Sequence, residues 1–135
     1  MMNNYFIILA SGQSKRFNST KPKQFITYKN KALFEHSIDK AITSKLFKKI
    51  ILVTNDKKQI KNKYPKNVII INGGKERSDS SLKGLKYIKK YKPNNVLIHD
   101  AARPNFSIKL LNKLIISLKE NKASVPIINP KDSIK

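Results

Sequence analysis

The stretch Leu9-Ala-Ser-Gly-Gln-Ser-Lys-Arg-Phe17, with Lys21-Pro-Lys-Gln-Phe25 just beyond it, decides how this chain is read. An apolar run from Tyr5 to Leu9 feeds directly into a turn of small residues, Ala10, Ser11 and Gly12. Small residues let a backbone approach a ligand closely and turn successive N–H groups toward an anion. Lys15, Arg16, Lys21 and Lys23 follow at once. Fixed cations beside such a nest suit a nucleoside triphosphate. The segment is neither of the two commonest phosphate loops, since it lacks the later glycines of G-x-G-x-x-G and has no G-x-x-x-x-G-K-[ST].

The rest of the chain repeats the alternation that this first strand begins. Strands are predicted over residues 5–9, 49–54, 68–71, 95–99 and 123–127, each short, rich in Ile and Val, and apolar on both faces. Such runs are the mark of buried parallel strands. Helices are predicted over 32–44, 56–63, 78–91 and 107–121, the first with a stripe of Leu33, His36, Ile38 and Ile42. In the last, Leu110, Leu111, Leu114, Ile115 and Leu118 make a clear helical face. The expectation is one α/β domain over 1–135, an open, mostly parallel Rossmann-like sheet with helices on both faces. Ligands of such sheets bind at the carboxyl ends of the strands. Ala10 to Gly12, the pair Gly73 and Gly74, Asp100, and Asp132-Ser-Ile-Lys135 all fall at such ends. The end of the second strand, Thr54-Asn-Asp56, reads as a helix cap with no ligand signal.

Composition narrows the partners. The formal net charge is +21 over 135 residues, which invites a polyanion. Yet the arginines are only Arg16, Arg77 and Arg103, and the lysines are spread over every segment. A specific nucleic-acid reader concentrates arginine and aromatic residues on one element, so no specific nucleic acid is expected. The chain has no cysteine, which excludes disulfides and thiol chemistry. No apolar run reaches the length of a membrane span, and a cytoplasmic protein without a membrane partner is expected.

Four blocks in order carry a more specific signal: the first loop with Pro22-Lys-Gln-Phe25, Gly73-Gly-Lys-Glu-Arg-Ser-Asp-Ser80, His99-Asp-Ala-Ala-Arg-Pro104 and Asp132-Ser-Ile-Lys135. Together they resemble the 2-C-methyl-D-erythritol 4-phosphate cytidylyltransferases, which have the fold of the nucleotide-diphospho-sugar transferases. The family's first loop runs roughly A-A-G-x-G-x-R-[MF], then P-K-Q-[FY]. Ser11 stands here for the second alanine and Ser14 for the second glycine. The family continues well past Lys135, so the chain is expected to hold the N-terminal part of such a domain.

The resemblance implies a transfer of CMP from CTP to 2-C-methyl-D-erythritol 4-phosphate, with Mg2+ as cofactor and a homodimer for the full-length protein. It implies that Arg16 and Lys23 stabilise the reacting phosphates, and that Ala10, Ser11, Gly12, Gly74, Lys75, Ser80 and Ala101 hold the nucleotide. Lys75 stands where an acidic residue is common. Asp100 is implied as the metal ligand, with Arg103 and Ser133 on the substrate; His99 reads as structural, and Arg77 reads equally as part of the site or as a structural salt-bridge partner. Ala102 before Arg103 favours this family over the ribitol-phosphate cytidylyltransferases, which tend to have valine there. The alternatives are a cytidylyltransferase for another polyol phosphate such as ribitol 5-phosphate, or a non-enzymatic polyanion-binding remnant.

Overall fold

In a computed structural model, residues 3–12 and 22–127 are described. Their elements in order are β1 (Asn4–Leu9), β2 (Thr27–Tyr28), β3 (Lys31–Ala32), α1 (Leu33–Ser44), β4 (Lys49–Val53), β5 (Val68–Ile71), α2 (Arg77–Ile88), β6 (Asn95–Asp100) and α3 (Ile108–Ser117). By internal packing the chain divides into two units, Met1–Asn105 and Phe106–Lys135.

The first unit is built on a parallel sheet of order β5-β4-β1-β6. All six residues of β1 are buried, as a central strand flanked on both edges and covered on both faces requires. Its register pairs Ile7 with Ile51 on β4 and with Ile98 on β6. The connection from β1 to β4 runs one way across the sheet, and that from β5 to β6 runs back. Right-handed crossovers in opposite directions put their helices on opposite faces. Tyr5, Ile7 and Leu9 accordingly cluster with Ile51, Val53 and Ile88 of α2. A Cβ on Gly84 would lie 3.0 Å from Ile7 Cγ2, so α2 packs closely on β1. On the other face, Phe6 stacks on Phe47, which follows α1, at 4.7 Å.

Several sequence expectations fail, each for a physical reason. The buried residues of α1 are Phe34, Ser37, Ile38 and Ala41, not the stripe through Leu33, His36 and Ile42. The two stripes share Ile38 and differ by a small rotation about the axis. His36 instead donates from Nε2 to Tyr28 C=O at 2.5 Å. The helix predicted over 56–63 is only a 3-10 turn at Lys57–Gln59. Its four lysines repel one another along the helix face and Ile60 is its lone apolar residue. The strand predicted over 123–127 does not form. Val125 and Ile127 are strongly exposed there, and β propensity makes no strand without a ladder partner. The hairpin β2–β3 was not foreseen; Lys29 and Asn30 turn it with φ of 48° and 67°, the conformation of a tight type I′ loop.

The second unit holds α3, which opens with Ser107 Oγ accepting the Leu110 N–H at 3.0 Å. No helix among the described residues is long and apolar enough to cross a membrane.

Candidate nucleotide site

The carboxyl edge of the sheet gathers the loops after β1, β4, β5 and β6. The ladder continues one residue past the strands: Ala10 N–H donates to Val53 C=O at 2.7 Å, and Ala101 N–H to Leu9 C=O at 2.9 Å. Ala10 and Ala101 are thereby fixed and buried. Leu9 and Asp100 are register partners, so the carboxylate stands beside the start of the first loop. A cleft of about 280 Å³ opens there, lined by Ala10, Ser11, Gly12, Gln24, Asn55 and Asp56 among others.

Gln24 holds the first loop in shape. Buried itself, it donates from Nε2 to Ala10 C=O at 3.1 Å and to Gly12 C=O at 2.7 Å. With both carbonyls drawn toward Gln24 and the Ala10 N–H on Val53 C=O, the turn is fixed from both sides of its first residue. The turn Lys23–Phe25 that carries Gln24 is anchored by Phe25, which meets Phe34 of α1 edge-on at 5.5 Å. Lys23 sits exposed on that turn.

A pair of hydroxyls joins the first loop to the third. Ser11 Oγ and Ser80 Oγ are 2.5 Å apart, and Ser80 Oγ also accepts the Gly74 N–H at 3.0 Å. Gly73 and Gly74 are needed for closeness, since neither has a positive φ. A Cβ on Gly73 would lie 2.6 Å from Ser11 Cβ, and one on Gly74 2.3 Å from Asp79 Cβ. The cap of α2 is Glu76, in a box with Asp79. Lys75 is exposed between the diglycine and this cap.

The end of β4, read from sequence as a mere cap, contributes to the site. Asn55 Oδ1 accepts the Gly73 N–H at 2.9 Å and its Nδ2 donates to Gly74 C=O at 3.1 Å. Neither Asn55 nor Gln24 was singled out from sequence; the signal available was an amide immediately after a strand or inside the P-K-Q-F turn.

Asp100 and Arg103 form an open ion pair, Nε to Oδ2 3.8 Å, with the arginine side chain 80% exposed. The loop between them is tied down by His99 Nε2 donating to Arg103 C=O at 2.7 Å and by Lys40 Nζ donating to Pro104 C=O. His99 also packs against Phe6, and its burial pushes its pKa below the ordinary histidine value. This is the structural part that its sequence context suggested. No three His, Cys, Asp or Glu side chains cluster among the described residues. Asp100 can therefore offer a divalent ion one protein carboxylate, with phosphate and water completing the shell, a usual arrangement for magnesium. Arg16 and Ser133 lie outside the described residues.

A parallel α/β sheet whose carboxyl edge joins a small-residue loop to a clamped diglycine has the architecture of the nucleotidyltransferases. Residues 5–135 match the family described as IspD: 2-C-methyl-D-erythritol 4-phosphate cytidylyltransferase, and the chain belongs to that family. It is 54% identical over 136 residues to the bifunctional enzyme IspD/IspF of Pelagibacter ubique, covering 99% of this chain and 37% of that protein. It is 39% identical over 142 residues to the 2-C-methyl-D-erythritol 4-phosphate cytidylyltransferase of Clostridium botulinum strain Loch Maree, covering 100% of this chain and 62% of that one. The solved bifunctional IspDF of Campylobacter jejuni superposes with a TM-score of 0.75 at 32% identity, over 87% of this chain and 31% of that one. The chain thus spans less than two thirds of these relatives' lengths.

Proposed function

We propose that this chain is the nucleotide-binding part of a cytidylyltransferase that transfers CMP from CTP to 2-C-methyl-D-erythritol 4-phosphate and releases pyrophosphate. The observation that carries the reading is the bridge from Ser11 through Ser80 to Gly74, which makes one surface of two loops distant in sequence. The phosphate oxygen of the acceptor attacks the α-phosphorus in line as the bond to the pyrophosphate oxygen breaks. A phosphate dianion needs no general base, so the work left to the protein is positioning and charge stabilisation.

In this reading Ser11 and Gly12 present N–H groups to the nucleotide, on a turn held by Gln24, and Ala10, whose N–H is taken by Val53 C=O, shapes the start of that turn. Gly74, Lys75 and Ser80 form the base end, and Ala101 borders the ribose through its backbone. Lys23 and Arg16 meet the negative charge that builds on the phosphates. Arg103 and Ser133 take the acceptor phosphate. Asp100 fits a magnesium site completed by the nucleotide's own oxygens; the ion would neutralise phosphate charge and polarise the α-phosphorus. A cytoplasmic homodimer is part of the same proposal.

The test is pyrophosphate release by the purified protein carrying this chain. It should require CTP, the acceptor and magnesium together. Turnover with ribitol 5-phosphate but not with 2-C-methyl-D-erythritol 4-phosphate would overturn the acceptor assignment and leave the nucleotide site standing.

A further inference from the structure

Every backbone polar group of Gly73 and Gly74 has a protein partner. The Gly73 N–H donates to Asn55 Oδ1 at 2.9 Å and the Gly74 N–H to Ser80 Oγ at 3.0 Å. The Gly73 carbonyl accepts from Lys83 Nζ and the Gly74 carbonyl from Asn55 Nδ2, both at 3.1 Å. An N–H is spent by one bond, whereas a carbonyl oxygen keeps a second lone pair. The diglycine therefore offers a ligand acceptors and no donors. Asn55 serves both halves of this pattern, and its amide works in one orientation only, since a flip sets N–H against N–H and oxygen against oxygen.

We propose that Asn55 sets base specificity: by holding the Gly73 N–H away from the ligand, it keeps the loop an acceptor-only wall that favours the amino-bearing edge of cytosine over the carbonyl edge of uracil. The inference deepens the assignment of Gly73 and Gly74 to the base end and rests on it. A uracil against the same wall would set O4 toward the carbonyl oxygens of Gly73 and Gly74 with no backbone proton between them, leaving only side-chain donors such as Lys83 Nζ to meet it. Mismatched polar groups of this kind discriminate far more sharply than pocket size does. Asn55 is a positioning residue and acts through the loop. Freed of it, a glycine peptide has the backbone latitude to turn its N–H to the ligand.

The test compares Kd for CTP, UTP and inorganic tripolyphosphate in the wild-type protein and in Asn55→Ala and Asn55→Asp, each checked for fold by circular dichroism. Asn55→Ala should narrow the preference for CTP over UTP about tenfold, the scale of one exchanged hydrogen bond, and should tighten UTP in absolute terms. Tripolyphosphate binding should not change in that variant. Asn55→Asp keeps an acceptor for the Gly73 N–H and should retain the wild-type ratio, even as its added charge weakens both nucleotides. Should Asn55→Ala not fold, Asn55→Ser, too short to reach both glycines, takes its place with the same expectation. An unchanged ratio in the folded variant overturns the inference while the nucleotide site stands. A wild-type protein that binds CTP and UTP alike also overturns it. One that binds CTP no more tightly than tripolyphosphate removes the nucleotide reading as well.

Discussion

Replacing Gln24 by methionine isolates the brace of the first loop, because methionine keeps nearly the same length and volume and removes only the donors. Two carbonyls lose their partner. The Ala10 carbonyl belongs to a residue that is 2% exposed, so water does not readily replace the bond; that loss costs roughly 1–2 kcal/mol. The Gly12 carbonyl belongs to an exposed residue and is rehydrated, which adds only a few tenths of a kcal/mol. The sum is about 2 kcal/mol, and for a chain of this size it should lower Tm by roughly 7 °C. Glutamate at the same position gives the sharper version. Its carboxylate would face two carbonyl oxygens, so its pKa in the fold is raised and the fold favours the protonated acid. Gln24→Glu should therefore be worst at neutral pH and recover toward wild type as pH falls through the carboxyl range, where the acid can donate again. Thermal and urea unfolding of the three proteins across pH supply the measurement, with CTP titration reporting the loosened loop. A Gln24→Met protein melting within about 1 °C of wild type would refute the brace.

Other expectations follow from single residues. Gly74→Ala should destabilise by about 1–3 kcal/mol through its clash with Asp79 Cβ, whereas Gly12→Ala, with nothing within 4 Å of the added Cβ, should be close to neutral in urea unfolding; equal effects would contradict the packing described. Burial, with Glu35 and Asp39 nearby, raises the Tyr64 phenol above its ordinary 10.0. A raised phenol contributes stability that is present below the unfolded value and lost as pH climbs through the folded one. Tyr64→Phe should therefore lose less stability than wild type between about pH 9 and pH 11, and parallel urea midpoints would dismiss the point. For the proposed reaction, Lys23→Ala should lower kcat about 10²–10³-fold with Lys113→Ala as the silent control, and Asp100→Asn should flatten the magnesium titration of turnover.

What could be read in the sequence depended on whether a feature carries a repeating pattern. The central strands of the sheet were legible because a strand buried on both faces is apolar nearly throughout, as β1 and β4 are, and the half-buried β5 and partly exposed β6 from their runs of Val, Ile and Leu. The segments that failed, 56–63 and 123–127, had the composition of an element without its partner: no apolar stripe in one, no ladder neighbour in the other. The site divides along the same line. Gly73, Gly74 and Asp100 stood out as residue types that a turn or a strand tip selects locally, and Ser80 through the resemblance of its block. Asn55 and Gln24 did not, because each is defined by carbonyls and amides that only the folded chain delivers. Asn55 meets Gly73 across 18 residues of sequence and Ser11 meets Ser80 across 69. A brace of this kind is chosen by distance and by the direction of two dipoles, and any side-chain amide in a loop looks the same beforehand. Substituting Asn55 or Gln24 therefore tests whether those two directions, and not merely a polar residue, are what the site requires.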